Sequence, residues 1–249
     1  MGEPESDQAI ALRAAEFLRQ HHREDITIAD LSDHLSYSAS HLTRAFTRAV
    51  GASPIKYLAA WRFHRAKHLL VSEGLGVLDV CHEVGFTSVG TFTRRFVRDV
   101  GLAPARLRRS AESLGEVALS SRDVPASPRA PSVLVRLEVP ELLRQQLGVD
   151  PYQWIGTFPS PVPCGVPFTG TLRRGIYDVR LPVLPGAPWI LASVTPSSAG
   201  VEGHVAPALP LVARHPRPLV GPNSPSVISL QLRTADPWEY PLLVALALL

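Results

Sequence analysis

The chain has 249 residues, a formal net charge of +3, 45% hydrophobic residues and 19% charged residues. That balance excludes a disordered polyelectrolyte and allows one large globular domain or two of ordinary size. Two cysteines, Cys81 and Cys164, cannot build a disulfide framework or a four-cysteine zinc site.

The start, MGEPESDQAIALRAAEF, is acidic and lacks a basic stretch followed by an apolar one, so it does not read as a secretory signal. The run LLVALALL near the other end is far shorter than the roughly 20 residues that span a bilayer. A cytoplasmic, reducing setting without a membrane partner is the expectation. Of the 25 Lys and Arg residues, 15 lie in residues 1–110.

Residues 6–22 predict an amphipathic helix. Ser6 or Asp7 caps it, and Ile10, Ala14, Phe17, Leu18 and His21 recur at helical spacing. Ile26–Leu35 predicts a second helix, with Thr27 and Asp30 as a weak capping box and Ile28, Leu31 and Leu35 as its buried stripe. After the turn at Tyr37, Ser38 caps a third helix that buries Leu42, Phe46 and Val50. Thr43, Arg44, Thr47 and Arg48 then lie off the core face, and Gly51 suits the left-handed stop. Helix, short turn, helix with a basic open side is the helix-turn-helix pattern.

Ser53–Val71 predicts a long helix, on the order of 25 Å, with Ser53 as cap and Pro54 at its first position. Ile55, Leu58, Phe63, Ala66, Leu69 and Leu70 form its apolar stripe, and Trp61 is read as core. A short buried helix follows at Val77–Val84. Ser88 then caps another basic helix with core face Phe92, Phe96 and Val100, stopped by Gly101, before a last short helix at Pro104–Arg109.

Ser38–Pro54 and Ser88–Pro104 are two copies of one unit. Ser38 matches Ser88, Thr43 Thr93, Arg44 Arg94, Phe46 Phe96, Arg48 Arg98, Val50 Val100, Gly51 Gly101 and Pro54 Pro104, at a constant offset of 50 without a gap. A fixed internal period means one supersecondary unit used twice. An α-helix fits the major groove, and cations on its open side favour phosphates.

The run from LSDHLSYSASHLTRAFTRAVGASPIKYLAAWRFHRAKHLL to VLDVCHEVGFTSVGTFTRRFVRDVGLAPARLRR resembles the DNA-binding domain of AraC/XylS-type transcription regulators, over about residues 8–109. Its most specific part is Gly85, Phe86, Ser88, Phe92, Arg94, Phe96, Gly101, Pro104 and Arg108. The resemblance implies seven helices, two helix-turn-helix units and a rigid connecting helix. It also implies two reading helices, about residues 39–50 and 89–100, in successive major grooves roughly 34 Å apart. By position it points to Ala39, Ser40, Thr43, Arg44 and Arg48 in the first reading helix. In the second it points to Val89, Gly90, Thr93, Arg94 and Arg98.

The chain departs from the family twice. Val89 and Gly90 carry no side-chain donor or acceptor, so the second helix is expected to offer a methyl contact and close backbone approach rather than polar base reading. The domain also comes first here, whereas in many relatives it comes last.

Residues 110–131 lose the helical pattern and gain Ser, Ala and Pro, which reads as a linker. Beyond residue 120 lie 21 of the 24 prolines. Glu141–Leu147 predicts a short helix. Strands are predicted at Gln153–Phe158, Val166–Leu172, Ile176–Leu181, Trp189–Thr195, Val227–Arg233 and Leu242–Leu249, at the spacing of a sandwich or small barrel. Part of this stretch faintly resembles small transthyretin-like sandwiches.

The expected fold is therefore α+β and multidomain. Residues 7–109 form an all-α double helix-turn-helix domain, 110–131 a linker, and 132–249 a mostly-β, sandwich-like domain that senses a small molecule or dimerises. His64 and His68, at i and i+4, have zinc spacing but no third ligand, and read as exposed helix histidines or phosphate contacts. Cys81 reads as a small buried apolar residue. His204, His215, Cys164 and Asp178 are chemically capable of catalysis, but no nucleophile elbow, phosphate-cradling loop or metal cluster frames them. The expectation is a sequence-specific regulator with no enzymatic role, metal or cofactor. Its partners would be operator DNA, RNA polymerase, a small-molecule effector and a second copy of the chain.

Overall fold

Seven helices open the chain: α1 Asp7–Gln20, α2 Ile28–Leu35, α3 Ala39–Val50, α4 Pro54–Ser72, α5 Val77–Glu83, α6 Val89–Val100 and α7 Pro104–Leu114. They are seen in a computed structural model that describes residues 5–114, 122–124, 131–176, 178–219 and 225–244.

The helix ends follow from their capping residues. The Ser6 hydroxyl accepts from Ala9 N–H, Ser38 from His41, Ser53 from Lys56 and Ser88 from Thr91. Thr27 and Asp30 close a full capping box, each side chain bonding the other residue's backbone N–H. Gly51 (φ 86°) and Gly101 (φ 92°) take the left-handed conformation that stops the two basic helices. Replacing Thr27 with Ala is expected to cost about 1 kcal/mol, read as a lower denaturant midpoint with an unchanged slope.

Two apolar clusters organise these helices, and α4 belongs to both. Ile10, Leu18, Leu31, Leu42 and Phe46 gather with Tyr57 and Leu58 from the start of α4. Phe63, Leu69 and Leu70 from its later turns join Val80, Cys81, Phe92, Phe96 and Leu107. The 19 residues of α4 span about 28 Å, so one rigid rod carries both units. Gly85 (φ 80°) lets the units touch directly, because a Cβ there would lie 2.7 Å from the Arg23 carbonyl oxygen. Beside it Arg23 pairs with Glu83.

The remaining elements are β1 Arg122–Val124, β2 Ser132–Glu138, α8 Glu141–Leu147, β3 Tyr152–Phe158, β4 Thr169–Arg174, β5 Val179–Pro182, β6 Trp189–Thr195, α9 Gly200–Val205, β7 Leu211–Arg214, β8 Val227–Gln231 and β9 Arg233–Thr234. One sheet has the order β1-β4-β3-β6-β7-β9, the other β5-β2-β8. All described pairings are antiparallel except β2 with β8. Val133, Val135, Ile228 and Leu230 of the small sheet pack with Ile155, Ile190, Ala192 and Ala213 of the large one, which makes a two-layer core.

β3 is buried along its whole length. Alternation sends Ile155 into that core, while Tyr152, Trp154 and Phe158 join Leu172, Leu191 and Val244 on the opposite face. This second face looks towards the helices. There the segment 237–244 lies against α4: Tyr240 packs edge-on to Tyr57, and Leu243 enters the second helical cluster. The fully buried Lys67 donates to the carbonyls of Leu242 and Leu243 at 2.9 and 3.0 Å. His68 Nε2 meets Glu202 of α9 at 2.6 Å.

Several sequence expectations change. α7 runs on to Leu114 because Leu107 and Ala111, four apart, keep one face buried, and Arg122–Val124 pair with β4, so the expected linker contains ordered structure. β4 starts at Thr169 rather than Val166, since Pro167 offers no N–H for a ladder. The run expected at 227–233 divides at the buried Leu232, and its two parts join different sheets. Leu242–Val244 are buried but not a strand, and the rest of that expected strand lies outside the described residues. Strands β2 and β7 and helix α9 were not anticipated. Ile55 is 41% exposed rather than buried. Trp61 is half-buried beneath the Arg19 guanidinium and stacked on His64. His68 meets Glu202 of α9 rather than solvent alone, while His64 is half-buried against Trp61 and burial lowers its pKa to about 3.

Candidate nucleic-acid interface

The repeat offset reappears in three dimensions. α3 and α6 are both 12 residues long, each opened by a serine and closed by a left-handed glycine. Each buries one apolar face, Leu42–Phe46–Val50 or Phe92–Phe96–Val100, and shows the other outward.

Ala39, Ser40, Arg44 and Arg48 are exposed on α3, and Thr43 is half-buried. On α6, Gly90, Arg94 and Arg98 are exposed, while Val89 and Thr93 are half-buried. Val89 leans on the second helical cluster, so only part of its surface is free for a methyl contact. A Cβ on Gly90 would meet nothing nearer than the Ser88 hydroxyl at 4.0 Å. The fold does not require glycine there, and its bare backbone leaves room for a close ligand.

The four arginines divide into two kinds. Arg48 grips Asp7 of α1 with two hydrogen bonds of 2.7 and 2.9 Å, which hold the Asp7 carboxyl below its usual range. Arg98 grips its neighbour Asp99 at 2.5 and 2.8 Å, and that carboxylate is buried. Among the described residues, Arg44 and Arg94 have no hydrogen-bond or ion-pair partner. An ion pair offsets much of a cation's field, so the uncompensated positive charge of these faces sits on Arg44 and Arg94.

Two further cations stand at equivalent places that were not singled out from sequence. Lys56 and Arg106 are each the third residue of the helix after a reading helix, both exposed and 50 apart. The same repeat register was the available signal. Arg62 and Arg95 lie over the Phe86 ring at 5.5 and 5.7 Å, a bracing role.

The residues considered for catalysis do not converge. Asp178 pairs with Arg136, His215 Nδ1 meets the Arg217 carbonyl, His204 lies edge-on to Tyr152, and Cys164 packs by Asp99 and Tyr240. No cluster of three or more metal-ligating side chains occurs among the described residues. No helix among them is long and apolar enough to cross a membrane.

The sequence profile of a family described as "Helix-turn-helix domain" matches residues 31–110. The uncharacterized HTH-type transcriptional regulator YbfI of Bacillus subtilis (strain 168) is 34% identical over 84 residues, 34% of this chain and 30% of that protein. The uncharacterized HTH-type transcriptional regulator YdiP of Escherichia coli (strain K12) is 33% identical over 93 residues, 37% of this chain and 31% of that protein. A solved structure of a probable AraC family transcriptional regulator from Rhodopseudomonas palustris CGA009 is 26% identical, covering 41% of this chain and 96% of that one, with a TM-score of 0.36. The chain spans about a third of the length of the curated relatives it matches.

The helical region is thus a double helix-turn-helix domain. It is joined here to a sheet-rich region.

Proposed function

We propose that the chain is a sequence-specific transcription regulator that lays α3 and α6 into successive major grooves of duplex DNA. The observation that carries this reading is the pair Arg44 and Arg94. They are two exposed guanidiniums, without a partner among the described residues, at matching positions of twin capped helices. Ser40 and Thr43 are the base-reading side chains of α3. Val89, Gly90 and Thr93 give α6 a smaller polar repertoire, so the first helix does more of the discrimination. Arg48 ties α3 to α1 through Asp7, Arg98 is partly neutralised by its neighbour Asp99, and both contribute less to phosphate attraction.

The domain assignment follows from this reading. Residues 7–109 bind DNA, and 132–249 sense a small molecule or dimerise, with RNA polymerase as a further partner at the promoter. The printed names of the relatives as HTH-type transcriptional regulators support the DNA-binding part of this assignment.

Footprinting tests the proposal. Two protected major-groove patches one helical turn apart are expected, and equal affinity for random duplexes at physiological salt overturns sequence-specific reading. Arg94→Ala is expected to weaken binding about tenfold and to reduce the magnitude of the log–log salt slope by about 0.9, the share of one phosphate contact. Arg98→Ala is expected to move that slope less. An unchanged slope for Arg94→Ala removes Arg94 from the phosphate contacts.

A further inference from the structure

One loop of the sheet region touches the closing end of both reading helices. At α3, Pro161 lies against Gly51 so tightly that a Cβ on that glycine would sit 2.8 Å from Pro161 Cγ. At α6, Gly165 N–H donates to the Asp99 carbonyl at 2.8 Å. Gly165 has φ +79°, and a Cβ there would sit 3.1 Å from the Arg98 carbonyl oxygen. Between the two contacts, Cys164 packs by Asp99 and Tyr240.

The loop is itself held from behind. Arg214 of β7 donates to the Pro161 carbonyl at 3.1 Å, and Leu243 N–H reaches the Pro163 carbonyl at 3.4 Å. From Pro161 to Gly165 the chain reaches at most about 15 Å, so both helix ends are confined within that span. Each reading helix is about 18 Å long, and its reading end is the far one. A small displacement at the pinned ends is therefore carried to Ser40 and Gly90 as a change in their separation.

We propose that loop 161–165 is a spacing gauge: it adds a clamp at the closing ends of both reading helices to the hold that α4 gives the two units, so the chain accepts half-sites at a single separation. A signal received by the sheet region reaches the DNA by loosening or shifting this clamp. The clamp rests on the DNA-reading function proposed above, and its test separates the two.

The full chain and a Pro161→Gly/Gly165→Val variant are compared on a duplex that the wild type selects, and on versions with one or two base pairs added to or removed from the spacer. The wild type is expected to lose about tenfold or more in affinity per inserted base pair, because each insertion rotates one half-site away from the other. The variant is expected to tolerate the same changes with less than about threefold loss. Equal steepness in both proteins, or a shallow profile in both, overturns the gauge.

Pulsed electron paramagnetic resonance gives a readout that needs no DNA. Spin labels carried by a non-natural amino acid replace the exposed pair Thr47 and Val97, again 50 apart. One narrow distance distribution is expected for the wild type and a broad one for the variant, and equal widths overturn the clamp. Should neither protein bind any duplex, the DNA reading fails while this measurement still decides the clamp. Arg214→Ala removes only the tether behind Pro161 and leaves both glycines intact. It is expected to broaden the distribution to an intermediate width, and it serves in place of the double variant if that chain does not fold; no broadening with Arg214→Ala counts against the clamp.

Discussion

Phe63→Ala is expected to remove about 3–5 kcal/mol of stability, the cost of emptying a large core site. Phe63 is fully buried on α4 and stands at the centre of an aromatic cluster. Its ring stacks on Phe86 at 5.4 Å, meets Phe96 edge-on at 5.6 Å and lies 6.1 Å from Phe92. Phe92 and Phe96 form the inner face of α6, so the cavity opens directly behind the second reading helix. A small protein holds about 5–15 kcal/mol in total, so the loss is a large share of it. Denaturant titration checks the magnitude, and hydrogen exchange shows where it falls. Amides of α5 and α6 are expected to lose protection before those of α1 to α3. A cost under about 1 kcal/mol would mean that the site collapses around the missing ring.

The second large effect concerns Lys67. Among the described residues no carboxylate accompanies it, and burial lowers its ammonium pKa from 10.5 to about 7. Because the folded pKa lies below the free value, the folded chain binds fewer protons across that window, and stability rises with pH. Between pH 7 and 9 the gain is expected to be about 2 kcal/mol, since one pKa unit is worth about 1.4 kcal/mol. Other buried groups turn the trend at higher pH. Burial raises the Cys164 thiol from 9.0 to about 11 and the Tyr57 hydroxyl from 10.0 to about 12, so their contributions fall as pH rises above 9 and 10. His64 is neutral throughout this window. Lys67→Met keeps much of the volume, and it is expected to flatten the rise between pH 7 and 9. It also leaves the Leu242 and Leu243 carbonyls without their donor, so stability at pH 9 should drop by about 1–3 kcal/mol. Denaturant titrations of both chains at several pH values give the comparison, and parallel profiles would show that Lys67 does not control the slope.

The two basic helices were readable because every local signal agreed. Serine cap, four-residue apolar spacing, left-handed glycine and trailing proline all mark the same boundaries in Ser38–Pro54 and again in Ser88–Pro104. The exposed candidates on those helices were readable for the same reason. Their ion pairing was not: Asp7 is 41 residues from Arg48 and looked like a cap alternative to Ser6. In the second region the missed strand Ser132–Glu138 did carry a signal. Val133, Val135 and Leu137 alternate with outward residues, but the stretch adjoins a run of Ser, Ala and Pro that masked it. Strand β7 has only four residues, and α9, GVEGHV, contains two glycines, so neither rises above its surroundings. The setting of Lys67 was beyond sequence reasoning because its partners are backbone carbonyls about 175 residues away, and any residue type supplies a carbonyl.

The parallel pairing of β2 with β8 has a consequence for how the molecule is assembled. The helical units close through contacts between neighbours in the chain, whereas Leu134 must wait for Val227, and Arg136 for Ser229. Closing so long a loop delays the small sheet relative to the helices. During synthesis the reading helices can therefore form well before the sheets that clamp them. Lys67 would pass that interval as an ordinary hydrated cation, losing its water only when Leu242 and Leu243 arrive. The burial of this one ammonium would thus be among the last events of folding, marking the moment when two separately formed halves become a single body.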